Sequence, residues 1–257
     1  MASSLSNAAY VDWGWRVPFL AGAVLLAIGL VIRLKIMESP MFQQLHSKRA
    51  VLKYPAFQVV KEQGRKIFTL LWIHAYAAAI PGFVILPYSV SYLVAMKMPE
   101  AFSNLSVTVG TAAAFFTVLG GAYVADRTGR LKVLRVAGIL TIAVLFPYFW
   151  LLNTLNVVWI LVAQTLLYGV VQVPLGPNTA LYAESFATKY RASGAGLCFQ
   201  LAGLVTGILV ALILPILITT YGVIGSWQPV VWISIVLCVV AMGASFFVKE
   251  TKGVVLE

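Results

Sequence analysis

Gly121-Ala122-Tyr123-Val124-Ala125-Asp126-Arg127-Thr128-Gly129-Arg130-Leu131-Lys132, closed by Arg135, is the stretch from which the rest of the chain can be read. It lies between two long apolar runs, Ser103 to Val124 and Val133 to Leu152, in a sequence that is otherwise sparingly charged. Asp126, Arg127, Arg130, Lys132 and Arg135 all fall within ten residues. A short charged stretch between two membrane-length segments is a tight turn held at a water–lipid boundary, and its cations mark the side on which it lies.

Composition places the chain in the membrane. Of its 257 residues 61% are hydrophobic and only 10% are charged, with a mean hydropathy of +0.94. Soluble domains run nearer to about 45–50% apolar and about 25% charged. The apolar residues gather in runs of roughly 20, the number that crosses a hydrocarbon core of ~30 Å at 1.5 Å per residue. A net charge of +10 invites a nucleic-acid reading. The placement of the charges removes it, because the Lys and Arg residues sit at the ends of apolar runs instead of on one face of a domain. Cys198 and Cys238 both lie inside apolar runs, so they read as small core residues without disulfide or metal-ligand spacing. His46 and His74 have no ligand-spaced partners, so no metal is expected.

Seven spans follow, about 15–36, 67–96, 103–124, 133–152, 157–182, 194–219 and 230–248. They divide the chain into a tail (1–14), a first helix (15–36), a polar connection (37–66), a six-helix bundle (67–248) and a second tail (249–257). Within the connection, Ala56 to Lys66 has the makings of a short amphipathic helix on the membrane surface. Counting cations by side gives 2, Arg16 and Lys97, against 16 of the 18 Lys and Arg. The positive-inside rule then sets the N-terminus outside and the turn at 126–135, the connection and the C-terminal tail in the cytoplasm.

The turn resembles the signature loop of the major facilitator superfamily, Gly-x-x-x-Asp-Arg-x-Gly-Arg-(Arg/Lys), through Asp126, Arg127, Gly129 and Arg130. Ala122 departs from the expected glycine, which predicts looser helix packing, and Leu131 from a second cation. Glycine at 129 permits the tight turn, and Asp126 is placed to pair with an Arg or to cap a facing helix. Three further stretches are similar to the same superfamily. Tyr182 to Gly194 looks like the turn after its tenth helix, and Lys249-Glu250-Thr251-Lys252-Gly253 with Leu256-Glu257 like its C-terminal tail. Trp13 to Phe19 with Met37-Glu38-Ser39-Pro40-Met41-Phe42 resembles the sixth helix and its exit in metabolite:proton symporters, the branch that carries shikimate, α-ketoglutarate, citrate, and proline or betaine.

The resemblance implies an all-α integral membrane fold whose seven spans are equivalent to helices six to twelve of a twelve-helix carrier. A five-helix N-terminal half would then be missing and becomes an expected partner. It further implies a bacterial plasma (inner) membrane, a small organic solute and proton as partners beside the lipid bilayer, a proton gradient in place of a cofactor, and a cytoplasmic charge network of Asp126, Arg127, Gly129, Arg130, Glu184 and Arg191.

A substrate path can be sought from the residues themselves, because carriers place their sites where Gly and Pro interrupt membrane helices. The second and fifth spans are broken in this way, by Pro81-Gly82 and Pro87, and by Gly169, Pro174, Gly176 and Pro177. Helical spacing puts His74, Pro81, Tyr88 and Tyr92 on one face, and Gln164, Tyr168, Gln172, Thr179 and Tyr182 on another, with Asn178 beside it. His74, Pro81, Tyr88, Gln172, Asn178 and Tyr182 are therefore the cavity candidates, against the alternative of hydrogen bonding between helices. No Asp or Glu lies in mid-span, so His74 is the one embedded titratable group. Gly203 and Gly207 form a Gly-x-x-x-Gly pair, which predicts close helix packing.

Other readings are weaker. A retinal protein needs a Schiff-base Lys in its last helix, and 230–248 has none. A seven-helix receptor has no supporting motif. A truncated or split fragment without transport of its own stays open. No nucleophile–base pair or phosphate loop suggests an enzyme, and nothing points to nucleic acid.

Overall fold

The computed structural model describes residues 12–35 and 55–253. The tail before residue 12, the connection 36–54 with its Met37–Phe42 motif, and 254–257 with Leu256-Glu257 lie outside the described residues. Two units are distinguished, Met1–Val51 and Leu52–Glu257, each described by itself.

In the first unit a 3-10 turn, Gly14–Arg16, leads into α1, Val17–Lys35. Arg16 donates to the Asp12 carbonyl and lies 4.5 Å over the Trp15 ring. The amphipathic aromatic ring and the cation are thus gathered at one end of an apolar rod, and Arg33 and Lys35 close the other.

In the second unit α2, Pro55–Ile80, runs through a π-helical segment, Pro81–Ser89, into α3, Val90–Ala95. The expected amphipathic piece is the first part of α2, set off by non-helical backbone at Gln63 (φ −130, ψ 25). Its Val59 is fully buried in the bundle, so this piece docks on protein and does not rest on lipid alone. Then come α4 (Glu100–Thr128), α5 (Arg130–Asn153), α6 (Val157–Gln172), α7 (Leu175–Ser185), α8 (Arg191–Ile208), a π turn (Leu209–Ile213), α9 (Leu214–Gly225) and α10 (Trp227–Ser245). Among the described residues, seven helical stretches are long and apolar enough to cross a membrane: 14–35, 56–95, 100–128, 130–153, 157–185, 191–225 and 227–245.

The sequence-expected turn at 126–135 shrinks to one residue. Thr128 ends α4, Arg130 begins α5, and Gly129 between them has φ 112 and ψ 147, outside what an L side chain readily adopts. Asp126 and Arg127 therefore belong to the last turn of one helix, and Arg130, Lys132 and Arg135 to the first turns of the next.

Pro87 cannot donate to the preceding turn, and the backbone around it widens to i→i+5 bonding. Each turn then takes an extra residue, so positions seven apart no longer stack. This splits the face expected for His74, Pro81, Tyr88 and Tyr92. A second interruption that the sequence reading omitted lies in the sixth span, where the π turn at 209–213 precedes Pro215.

Helix α4 packs along α6 and α7, α8 and α10 pack on α2, and α10 also packs on α5. The α4 contact is backbone to backbone. A Cβ built on Gly121 would meet the Val173 carbonyl oxygen at 2.3 Å, and one on Gly176 would meet the Ala122 Cβ at 2.9 Å. Ala122 therefore does not loosen the packing, because Gly121 makes the approach and Gly176 leaves room for the Ala122 methyl. Gly203 and Gly207 behave otherwise: a Cβ at either meets nothing within 4 Å among the described residues, so the described part of this unit does not show the expected close packing there. It is Thr206 between them that meets a neighbour, lying 2.6 Å from a Cβ built on Gly82.

Candidate functional site

Arg130 is the centre of the charged end. Its Nη1 donates to Asp126 one turn back, and its Nη2 donates to Glu184 Oε1 at 3.0 Å from the end of α7. The side chains of Arg130 and Glu184 are only 11% and 16% exposed, whereas Asp126 is 68% exposed. The Arg130–Glu184 pair is thus the desolvated one, where Coulomb attraction is least screened. Glu184 also accepts from the Thr251 hydroxyl, which brings in the segment after α10.

Glu250, from the same segment, lies over the one-residue turn. Its carboxylate accepts from the backbone N–H of Arg130 at 2.9 Å and of Leu131 at 3.0 Å, the first turn of α5. It accepts from its own neighbours Thr251 and Lys252 as well. A carboxylate at a helix N-terminus takes up free N–H groups and favours the dipole. Partial burial alone would raise the Glu250 carboxyl, but these four backbone donors outweigh it and hold it below the usual carboxylate range. A Cβ on Gly129 would sit 2.8 Å from Glu250 Oε2, so the glycine also clears space for this cap. The capping role expected for Asp126 thus belongs to Glu250, from 120 residues away.

The other expected members are placed around this centre. The Arg127 guanidinium stacks 4.1 Å over the Tyr123 ring, outside the ion pairs, while its carbonyl accepts from Lys252 Nζ. Arg191 Nε donates to the Ala183 carbonyl at 2.9 Å and so clasps the end of α7. A cavity of about 640 Å³ opens beside the pair, with Glu62, Arg65, Lys66, Glu184, Lys249 and Glu250 in its wall.

Of the cavity candidates, Pro81 has a side chain outside what the structure describes, and the other five divide into three places. His74, Asn178 and Tyr182 come together: Asn178 Nδ2 is 3.3 Å from His74 Nδ1, the His74 and Tyr182 rings are 6.0 Å apart, and Phe199 packs on both. The Tyr182 hydroxyl donates to the Leu70 carbonyl. Tyr88 lies elsewhere, fourteen residues along the span, donating to the Val223 carbonyl at 2.7 Å and accepting from Ser226. Gln172 ends α6 at the break before α7. Its Oε1 and the Oδ1 of Asn178 are buried and have no hydrogen-bond partner among the described residues, one on each side of Val173-Pro174.

A neutral polar group that the candidate set omitted joins four helical elements. Gln164 on α6 donates from Nε2 to Ser89 at 3.2 Å and Ser106 at 3.4 Å, and accepts from Tyr148 at 3.2 Å. A polar residue at 164 on the expected inward face was the available signal. Thr179, expected on that face, is exposed and bonds its own helix.

The sequence profile of the Major Facilitator Superfamily matches residues 1–210. The chain is 25% identical over 248 residues to the shikimate transporter of Escherichia coli, covering 95% of this chain and 56% of that protein. It is 28% identical over 267 residues to a putative metabolite transport protein of Haemophilus influenzae, covering 97% and 57% respectively. With the proline/betaine transporter of Escherichia coli the figures are 26% over 220 residues, 81% and 43%. The chain spans about half the length of the curated relatives it matches. With a profile match over most of its length and seven helices among the described residues fit to cross a membrane, the chain belongs to the major facilitator superfamily.

Proposed function

We propose that this chain forms the C-terminal part of a proton-coupled carrier that moves a small organic metabolite by alternating access, and that transport needs an N-terminal half to complete the path. The observation that carries this is the Arg130 centre, which ties the α4–α5 turn, the end of α7 and the segment after α10 through one desolvated ion pair and one carboxylate cap. Such a centre suits a latch. It holds one end of the bundle shut while the other opens, and it exchanges partners as the halves rock. The charge count puts this end in the cytoplasm. The named relatives support a small organic metabolite, and their doubled length supports the need for a second half.

The solute is met at the break between α6 and α7. Gln172 Oε1 and Asn178 Oδ1 are buried acceptors left open on either side of it, which suits a solute bearing N–H or O–H donors. His74, beside Asn178, is the embedded group that couples the proton.

Vesicles containing the chain alone, and vesicles in which it is fused behind the first half of the shikimate transporter, test the reading with labelled shikimate, proline and betaine under an imposed pH gradient. Uptake is expected only in the fusion, is lost when a protonophore collapses the gradient, and slows about tenfold or more in Glu184→Gln with binding kept. Equal uptake in Glu184→Gln would discard the latch, and uptake indifferent to the protonophore would discard proton coupling.

A further inference from the structure

We propose that the start of α5 is a binding site for an anionic phospholipid, with the phosphate at Lys132 and Arg135 and an acyl chain in the groove beside Lys132. Two hollows flank this part of α5, and both are bounded by Lys132 and Val136. One, about 410 Å³, joins Lys132 and Arg135 to Ile139 and Val248. The other, about 450 Å³, is almost wholly apolar and runs between α4, α5 and α6, past Val124, Gly120, Val136, Leu140 and Val170. From Lys132 to Leu140 is eight residues, about 12 Å along a helix, against a leaflet of about 15 Å. The groove therefore starts at the charged end and reaches well into the hydrocarbon.

The two cations are poised for a ligand that the protein itself does not supply. Lys132 is exposed, and its Nζ has no hydrogen-bond or ion-pair partner among the described residues. Arg135 is fixed from behind. Its Nε donates to Ser245 Oγ at 2.8 Å, its Nη2 to the Ser245 carbonyl at 2.9 Å, and the Phe246 ring lies 4.2 Å from the guanidinium. Nη1 is left with both N–H groups unused among the described residues. Glu250 borders the same hollow, but its carboxylate is turned to four backbone N–H groups and forms no ion pair with either cation among the described residues. A pre-oriented guanidinium and a free ammonium at one end of an apolar groove match a phosphate with a hydrocarbon tail. Charge complementarity and the continuity of groove and cations favour lipid over a peptide helix. The inference needs only that the chain sits in a bilayer.

Groove and cations can be altered separately. A Cβ on Gly120 meets nothing within 4 Å, so Gly120→Phe fills the groove without disturbing the helix contact made by its neighbour Gly121. Lys132→Gln removes an exposed charge that holds nothing in place. Native mass spectrometry of the full chain in neutral detergent, titrated with dioleoyl phosphatidylglycerol, dioleoyl phosphatidylcholine or glycerol phosphate, reads the result. Phosphatidylglycerol should be retained about tenfold more than phosphatidylcholine. Lys132→Gln should weaken it about fivefold, the worth of one basic side chain near an anionic surface. Lys132→Arg should restore it. Gly120→Phe should release both lipids, and glycerol phosphate should not compete. Equal retention of the two lipids, full retention in Lys132→Gln, or competition by glycerol phosphate would each overturn the proposal. So would phosphatidylglycerol retained in Gly120→Phe. Unchanged helical circular dichroism in each variant shows that the fold is intact.

Discussion

Two of the polar centres in the bundle are built on opposite principles. The Arg130 centre is charged, lies at one end, and spans a range of exposure from 11% at Arg130 to 68% at Asp126. The Gln164 centre is neutral, fully buried, and joins the π-helical segment, α4, α5 and α6 through Ser89, Ser106, Tyr148 and Gln164. Deep in lipid a charge is expensive, and the Gln164 centre joins its helices there through neutral groups. At the boundary, water is available to take over when an ion pair parts, so charges can hold a contact and still release it. The difference separates a fixed joint from a releasable one within a single bundle.

Removing Gln164 should therefore cost the most stability. Gln164→Leu strands the Tyr148 hydroxyl in the interior, and a loss of about 2–3 kcal/mol is expected, an orphaned buried donor plus its lost bonds. Adding Tyr148→Phe removes the stranded group and should recover a good part of it. Thermal unfolding in detergent measures both, and a double variant no better than the single would mean that packing, not polarity, makes this joint. Arg130→Gln comes next, at about 1.5–2 kcal/mol, because its main pair is largely desolvated but lies near water. Its effect on uptake should exceed that of Gln164→Leu although its effect on stability is smaller. The opposite ranking in uptake would abolish the distinction between fixed and releasable joints.

Glu250 sharpens the comparison through pH. Its carboxyl titrates below the ordinary carboxylate value in the folded chain. The stability it lends is thus complete above the unfolded value of about 4.3 and is lost as pH falls through the lower folded value. Glu250→Gln should cost about 1 kcal/mol at neutral pH, the usual worth of a helix cap. The gap between variant and parent should close as melting is followed from pH 7 to pH 3. A gap that widened on acidification would contradict the capping role.

The expected turn was legible in the sequence because its signals are local: a glycine, a cluster of charges, and apolar runs on either side. The spans were legible for the same reason, and so were the helix breaks at Pro81, Pro87 and Pro174. What the breaks do to the backbone was not. Helical spacing put His74 and Tyr88 on one face, but fourteen residues are about 21 Å along a helix, and the i→i+5 widening around Pro87 breaks the spacing between them. Contacts set by a distant partner were equally hidden. Glu250 reaches Arg130 across 120 positions with no periodic trace. The pair at Gly203 and Gly207 has the spacing for close packing but meets nothing within 4 Å among the described residues, whereas Gly121 and Gly176 pack closely because each meets what the other helix presents.

The smallest effect is expected at the motif's most visible acid. Asp126 pairs with Arg130 one turn away and is 68% exposed, so solvent and salt screen the pair. Asp126→Asn should change stability by only about 0.3–0.5 kcal/mol, and less at high salt. If the releasable joint depends on Arg130 exchanging partners, the same substitution should still slow uptake with solute binding largely kept, because Asp126 holds the guanidinium ready when Glu184 lets go. Measured side by side, melting and uptake in Asp126→Asn separate the two uses of a surface carboxylate. Unchanged uptake would leave Asp126 as a marker of the membrane boundary and confine the releasable joint to Arg130, Glu184 and the segment after α10.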